Sequence, residues 1–190
     1  MPRRTIGFCA GEHYHIYNRG VDRQPIFFCE ENYLYFVRLL KQKAARNAIQ
    51  VLAYCLMPNH FHLLVRPESD NAVTAFLTSV CGSYVQALNV QRCRVGALFQ
   101  GRFRAVHVNR DAYLAQLARY IHLNPVATGL VVKPQDWPYS DYRDIVEGRQ
   151  GPPTEPGLFA GLFPSSSAYQ RFVEAPQSLE LPGNLKLPGS

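Results

Sequence analysis

The chain has 190 residues, of which 47% are hydrophobic and 18% charged, a balance typical of a globular protein. No apolar run reaches the ~18 residues that a membrane-spanning helix needs, and the basic N-terminus lacks the apolar stretch of a signal peptide. The net charge is +6, and residues 1–146 hold 17 basic and 10 acidic side chains. These features exclude a membrane-spanning protein, argue against export and favour a polyanionic partner such as nucleic acid.

The five cysteines are spread along the chain, and no two of them have Cys-x-x-Cys spacing. An odd number without paired spacing argues against a disulfide framework and against a zinc ribbon. We therefore expect most of them to be small buried hydrophobic side chains, in a protein of the reducing cytoplasm.

The first half of the chain predicts a strand, a helix and a β-hairpin. Residues 13–18 are rich in β-forming side chains and lead into a turn signal, which predicts a first strand. Residues 32–47 carry apolar side chains at helical spacing. Strands predicted at 49–56 and 60–66 flank a Pro-Asn connection, so they form a hairpin.

The second half predicts a helix at 71–90, a strand at 104–108 and a helix at 111–124. The order β-α-β-β-α-β-α is that of an α+β, ferredoxin-like or RRM-like antiparallel sheet with helices on one face, plus an added helix. We expect one domain over residues 1–146. Residues 147–190 are rich in proline and glycine and predict a tail with one short helix at 165–173.

The strand at 60–66 carries a His-x-His pattern. Side chains alternate between the faces of a strand, so His60 and His62 project from one face and Phe61 projects from the other. Two imidazoles on an exposed face can converge on one metal ion. The alternative is a pair of histidines that cap polar groups or lie in solvent.

Tyr120 and Asn124 are four residues apart in the last predicted helix, so they are neighbours on its surface, at the edge of the apolar stripe. A tyrosine at such a boundary is most often a core residue whose hydroxyl reaches the surface. Asn124 precedes Pro125, which predicts that the helix ends there and that Asn124 is its C-terminal cap.

Arginines alternate with aromatic residues at 99–104. Arg102, Phe103 and Arg104 can contact phosphates and stack on bases of a single strand, with further charge from three other arginines, Arg19, Arg66 and Arg119. An ordinary loop that enters a strand explains the segment equally well.

Two of these segments together resemble a known family. Residues 58–64 (PNHFHLL) resemble the HUH motif of the single-tyrosine transposases, and residues 119–126 (RYIHLNPV) resemble the nucleophile helix of their REP-associated tyrosine transposase branch. Residues 99–103 and 137–140 fall where that branch has similar segments. The resemblance covers about residues 8–145.

The resemblance implies an enzyme that cleaves and rejoins single-stranded DNA at hairpin-forming repeats through a 5′-phosphotyrosine. Tyr120 would be the nucleophile, and His60, His62 and Asn124 would bind a divalent cation, Mg²⁺ or Mn²⁺. The enzyme would act as a monomer or homodimer, with the tyrosine helix working in cis or in trans. Thr128 departs from the short basic stretch that many relatives have after the Asn-Pro-Val segment.

Three alternatives remain open at the level of the sequence. The first is a non-catalytic, RRM-like module that binds single-stranded nucleic acid. The second is a metal-dependent phosphodiester hydrolase that forms no covalent intermediate. The third is a degenerate relative with a regulatory role in the host.

Overall fold

A computed structural model describes residues 7–109, 111–149 and 161–176. Short 3-10 turns lie at Val21–Arg23 and Pro134–Asp136. The strands and longer helices are, in chain order, β1 (His13–Arg19), α1 (Glu30–Arg46), β2 (Ile49–Met57), β3 (His60–Pro67), α2 (Ala72–Gln91), β4 (Arg104–Val108), α3 (Asp111–Ala127), α4 (Tyr142–Val146) and α5 (Ser166–Glu174).

The four strands form one antiparallel sheet in the order β2-β3-β1-β4. The β2–β3 hairpin turns through Pro58 and Asn59, since Met57 is paired with His60. This order places β1 and β3 side by side at the centre of the sheet. The predicted α+β, ferredoxin-like fold is confirmed.

Helices α1 and α2 cover one face of the sheet. Ile16, Phe61 and Leu63 point to this face and are completely buried beneath Phe36 of α1 and Phe76 of α2. By length and composition α2 alone, among the described elements, resembles a membrane-spanning helix. Its apolar stripe is buried in this core, as in the core helix of a globular protein.

Helix α3 packs on the opposite face, mainly against β2 and β3. Leu117, Ala118 and Ile121 are completely buried there against strand residues that include Cys55 and Leu64. The added helix therefore lies on the histidine face of the sheet, as the predicted fold required.

The aromatic segment at 137–140 docks on the edge of β2. The Trp137 indole N–H donates to the Leu56 carbonyl at 3.0 Å, and the Leu56 N–H donates to the Tyr139 carbonyl at 2.9 Å. The Tyr139 ring stacks on Tyr33 of α1 with centroids 3.7 Å apart. The segment thus protects an otherwise open strand edge.

The short helix predicted in the tail is present as α5, which packs against α3 and α4. The proposed domain boundary after residue 146 stays a prediction, and residues 150–160 and 177–190 of that tail lie outside the described part of the chain.

Two expectations were wrong. Helix α3 does not end at Asn124 but continues through Pro125 to Ala127, and Gly129 follows with a φ of +71°. Of the five cysteines, all of them free, Cys55 alone is fully buried.

Candidate active site

The hairpin loop that precedes His60 is held by the chain segment after β1. The Pro58 carbonyl accepts hydrogen bonds from the N–H groups of Ile26 and Phe27, at 2.8 and 3.1 Å. The Asn59 carbonyl accepts from the Gly20 N–H at 2.8 Å. Because both loop carbonyls are tied down, the position at which β3 begins is fixed relative to β1.

The orientation of His60 is set by its neighbour. The Asn59 side-chain N–H₂ donates to the Arg23 carbonyl, so its Oδ1 faces His60 and accepts from the imidazole Nδ1–H at 2.6 Å. A neutral imidazole carries one N–H, so Nε2 of His60 is left with its lone pair.

His62 lies beside His60 on the same face, with ring centroids 5.0 Å apart and planes almost perpendicular. Its Nδ1 is 3.0 Å from Nε2 of His15, a buried residue of the neighbouring strand β1. His62 is itself buried, with 4% of its surface exposed.

Helix α3 brings Tyr120 and Asn124 to these imidazoles within the same chain. The rings of Tyr120 and His62 meet edge to face with centroids 5.6 Å apart. The Asn124 side-chain N–H₂ donates to the Tyr120 carbonyl at 3.0 Å. The Asn124 side chain also acts on both groups, since it raises the pKa of His60 and lowers that of Tyr120. The four residues singled out from the sequence therefore form one cluster.

Burial keeps these groups neutral. It lowers the pKa of His60 to about 4, an effect that the Asn124 hydrogen bond opposes and the charge of Arg19 strengthens. Burial lowers the pKa of His62 well below its usual range, with smaller contributions from His15 and His60. Burial raises the pKa of Tyr120, and the Asn124 hydrogen bond partly offsets this. At neutral pH the site therefore holds neutral imidazoles and a protonated phenol.

These donors suit a divalent metal ion. Both imidazoles use Nδ1 for a protein contact, which leaves Nε2 as the ring nitrogen for a metal, and a metal-binding histidine is typically held in this way. Within the described part of the chain no group of three or more His, Cys, Asp or Glu side chains is placed to hold a metal. A third protein ligand at this site would therefore have to be a side chain of another type, as the Asn124 amide is.

Two of the predicted DNA-contacting arginines lie on the same face as the cluster. Arg19 is paired with His60 across β1 and β3, and Arg104 is paired with Tyr17 across β4 and β1. Arg104 is exposed to solvent, as is Arg102 in the loop before it. The face that carries the cluster therefore also carries two basic side chains on β1 and β4.

The other three predicted contacts lie elsewhere. Phe103 packs near Phe8 in the core on the opposite face of the sheet. Arg66 lies at the far end of β3 and donates to the Gly11 carbonyl at 3.0 Å. Arg119 is buried, and its guanidinium donates to three carbonyls at the end of α5, those of Phe172, Val173 and Ala175. This placement argues against a DNA contact for Arg119 while α5 is docked.

His15 is not among the site residues predicted from the sequence, yet its ring forms a hydrogen bond with His62. The signal was the alternation of His13, His15 and Tyr17 in a strand. Only the pairing of β1 with β3 shows which imidazole meets it.

Comparison with known proteins identifies the family. Residues 10–124, well over half of the chain, match the family model described as transposase IS200-like. The chain belongs to the IS200-like transposase family. The resemblance of its motifs to the REP-associated tyrosine transposases is confirmed by the relatives found.

Two curated relatives are REP-associated tyrosine transposases by name. The one from Haemophilus influenzae is 31% identical over 116 residues, which is 55% of this chain and 66% of the relative. The one from Escherichia coli K12 is 26% identical over 112 residues, 58% of this chain and 64% of the relative. The matched part thus spans just under two thirds of each.

A solved structure shares the fold. It is described as a REP-associated tyrosine transposase bound to a REP hairpin, and it matches with a TM-score of 0.66 and 19% identity. The match covers 80% of this chain and 89% of the other.

Proposed function

We propose that this protein cleaves and rejoins single-stranded DNA through a transient covalent bond to Tyr120, next to hairpins formed by repeated sequences. The observation that carries the proposal is the cluster itself, in which Tyr120 lies against His62 and Asn124 reaches both Tyr120 and His60. The hairpin is proposed because the solved relative is bound to one.

In the proposed reaction, each bond that forms is matched by one that breaks, and no energy-carrying cofactor is needed. The Tyr120 oxygen forms a bond to the scissile phosphorus, and the bond from phosphorus to the 3′ oxygen of the upstream nucleotide breaks. The phenol loses its proton and the departing 3′ oxygen gains one. A 5′-phosphotyrosine keeps the energy of the phosphodiester, so attack by a second 3′-hydroxyl rejoins a strand by the reverse step.

The chain's own residues prepare the nucleophile. Free tyrosine has a pKa near 10, and burial raises that of Tyr120 further, so the resting enzyme holds an unreactive phenol. The Asn124 side chain opposes this shift and orients the hydroxyl. The charges of Arg19 and Arg104 favour the approach of a phosphate backbone to the same face.

His60 and His62 would hold a divalent cation through Nε2, and Asn124 through its amide oxygen. The ion supplies positive charge for the oxygens of the scissile phosphate. Two nitrogen donors suit Mn²⁺ better than Mg²⁺, which prefers oxygen. We therefore expect Mn²⁺ to support cleavage at lower concentration than Mg²⁺.

One chain contains the complete cluster, so we propose that the tyrosine acts in cis and that a monomer is sufficient for cleavage. The five free cysteines and a DNA substrate fit the reducing cytoplasm as the compartment.

The test uses a single strand that contains a hairpin, labelled at its 5′ or its 3′ end, with Mn²⁺ and a denaturing gel. We expect the 3′-labelled strand to shift to the mass of a protein adduct, while the 5′ label is released as a shorter free strand. A Tyr120→Phe variant should form no adduct.

Tyr113→Phe is the matched control, because Tyr113 lies on the same helix and packs on the same core. It should form adduct at the wild-type rate. Cleavage without an adduct would support a hydrolase, and tight hairpin binding without cleavage would support a non-catalytic binding module.

A further inference from the structure

His15 is a completely buried histidine in the central strand β1. It faces the same side of the sheet as His62, because Tyr17, two residues along β1, is paired directly with His62. The two histidines are therefore diagonal neighbours across adjacent strands, within reach of long side chains. Their rings are nearly parallel, 18° apart, with centroids separated by 5.2 Å.

The contact between them is a hydrogen bond between ring nitrogens, with Nε2 of His15 3.0 Å from Nδ1 of His62. One of these nitrogens must carry the proton and the other must accept it. For His62 to present a lone pair at Nε2, its proton must lie on Nδ1 and be donated to His15. His15 is then the acceptor that selects the metal-binding tautomer of His62.

Asn59 does the same for His60, whose Nδ1 it binds at 2.6 Å. Both members of the His-x-His pair thus have Nδ1 engaged by a protein group, which leaves Nε2 as the ring nitrogen for the ion. One partner comes from the hairpin loop and the other from the neighbouring strand. Such outer partners fix the ring and the tautomer of metal-binding histidines.

Nδ1 of His15 adds a second, independent observation. It is buried and has no hydrogen-bond partner among the described residues. When His15 accepts from His62, its own proton lies on this unpartnered nitrogen, which is unfavourable. Because an unpaired buried N–H is tolerated less well than an unpaired acceptor, we expect the opposite arrangement without an ion, with His15 donating from Nε2 and His62 protonated on Nε2. Each ring holds one proton in both arrangements.

We propose that His15 is a positioning residue for the metal centre. His15 accepts the His62 Nδ1–H and so leaves the Nε2 lone pair of His62 for the ion. This inference rests on the proposed function, since it needs the ion at His60, His62 and Asn124. With the ion bound, His15 and His62 would each carry the ring proton on Nδ1, as His60 does in both states.

The first test measures Mn²⁺ affinity by electron paramagnetic resonance, without DNA. His15→Phe keeps a ring of similar size but has no acceptor, and it should weaken Mn²⁺ binding about 10–100-fold. His15→Gln keeps a side-chain acceptor and should recover much of that loss. The matched control is His107→Phe, since His107 lies on the adjacent strand but is exposed and contacts Glu12; its affinity should not change.

The second test needs no variant. Nitrogen-15 NMR of the His62 ring in the wild type should show the proton on Nε2 in the free protein and on Nδ1 after addition of Mg²⁺, which is diamagnetic. This measurement decides the question even where His15→Phe does not fold.

The outcomes separate the two proposals. Wild-type Mn²⁺ affinity in folded His15→Phe, together with weak binding in His60→Ala, overturns the role of His15 and leaves the metal centre intact. Unchanged Mn²⁺ affinity in His60→Ala overturns the metal centre and with it the role of His15.

Discussion

The polar side chains on the two sides of α3 lie in different environments. On the side that faces the sheet, Tyr120 and Asn124 lie beside His60 and His62, which burial keeps neutral. On the side that faces α4 and α5, Arg119 and His122 are buried and fully engaged. We call these the front and the back of α3.

The back is a closed hydrogen-bond network. The His122 Nε2–H donates to Asp141 Oδ1 at 3.0 Å, and its Nδ1 lies 2.6 Å from the Tyr169 hydroxyl. The same Asp141 oxygen accepts the Tyr54 N–H of β2 at 2.7 Å. The network therefore joins α3 to α5 and to the sheet.

This difference indicates a separate role for each side of α3. Satisfied buried polar groups fix a single arrangement of the chain, and the back of α3 fixes where the helix lies. The front keeps the Nε2 lone pair of His60 and a protonated phenol, which is the condition of a site that awaits a ligand. Residues one or two positions apart in sequence thus serve structure and chemistry separately, and substitutions should divide in the same way.

The largest effect should come from the front. His60→Ala removes a proposed metal ligand, and we expect adduct formation to slow at least ~100-fold, since charge stabilisation by a metal contributes several kcal/mol. The melting temperature should change little because His60 is partly exposed. The measurement pairs initial cleavage rates with thermal unfolding, and His107→Ala is the control. Normal cleavage by His60→Ala would contradict the proposal that His60 is a metal ligand.

At the back, the expected loss is in stability. His122→Leu leaves the buried Asp141 side chain without its imidazole donor. We therefore expect the free energy of unfolding to fall by about 2–4 kcal/mol. Tyr169→Phe removes only the hydroxyl and should cost about 1 kcal/mol. Urea denaturation measures both. A His122→Leu protein as stable as the wild type would show that the network does not hold α3.

The front should also give stability a pH dependence. The folded pKa of His60 is about 4 and that of His15 about 3, against 6.5 for the unfolded side chain. As pH falls below 6.5 the unfolded chain takes up protons that the folded chain refuses, so the free energy of unfolding falls. Each group contributes up to about 1.4 kcal/mol per pH unit. Urea denaturation from pH 7 to pH 5 measures the slope, which His60→Gln should reduce. A flat profile would contradict the neutral, buried imidazoles.

The smallest effect concerns Arg119. Its guanidinium reaches three carbonyls that end α5, and lysine cannot reproduce this fork of donors. We expect Arg119→Lys to destabilise α5 by about 1 kcal/mol, seen as faster amide hydrogen exchange in α5. Arg143→Lys, at an exposed pair with Glu147, is the control. Unaltered amide exchange in α5 would show that Arg119 does not hold this helix in place.

Much of the arrangement at the front of α3 could be predicted from the sequence. The two-residue period of a strand placed His60 and His62 on one face, and the four-residue spacing placed Tyr120 beside Asn124. That the two pairs meet came from the resemblance to the transposases, because no local pattern reports the distance between a strand and a later helix.

The rest depends on packing across the fold. His15 reaches His62 only because β1 lies next to β3 in the sheet. Arg119 was expected to contact DNA because a helix pattern does not show which side a later segment, here α5, will cover. The helix end at Asn124 was inferred from Pro125, but the helix continues to Ala127 because its surrounding contacts outweigh the local effect of proline.

The most direct measurement is to map the covalent adduct by mass spectrometry after cleavage of a hairpin-bearing strand in Mn²⁺. We predict a nucleotide bound through a 5′-phosphate to the tryptic peptide that begins at Tyr120. Modification of Tyr17, whose ring centroid is 6.1 Å from that of His62, or cut DNA with no modified tyrosine, would contradict the account.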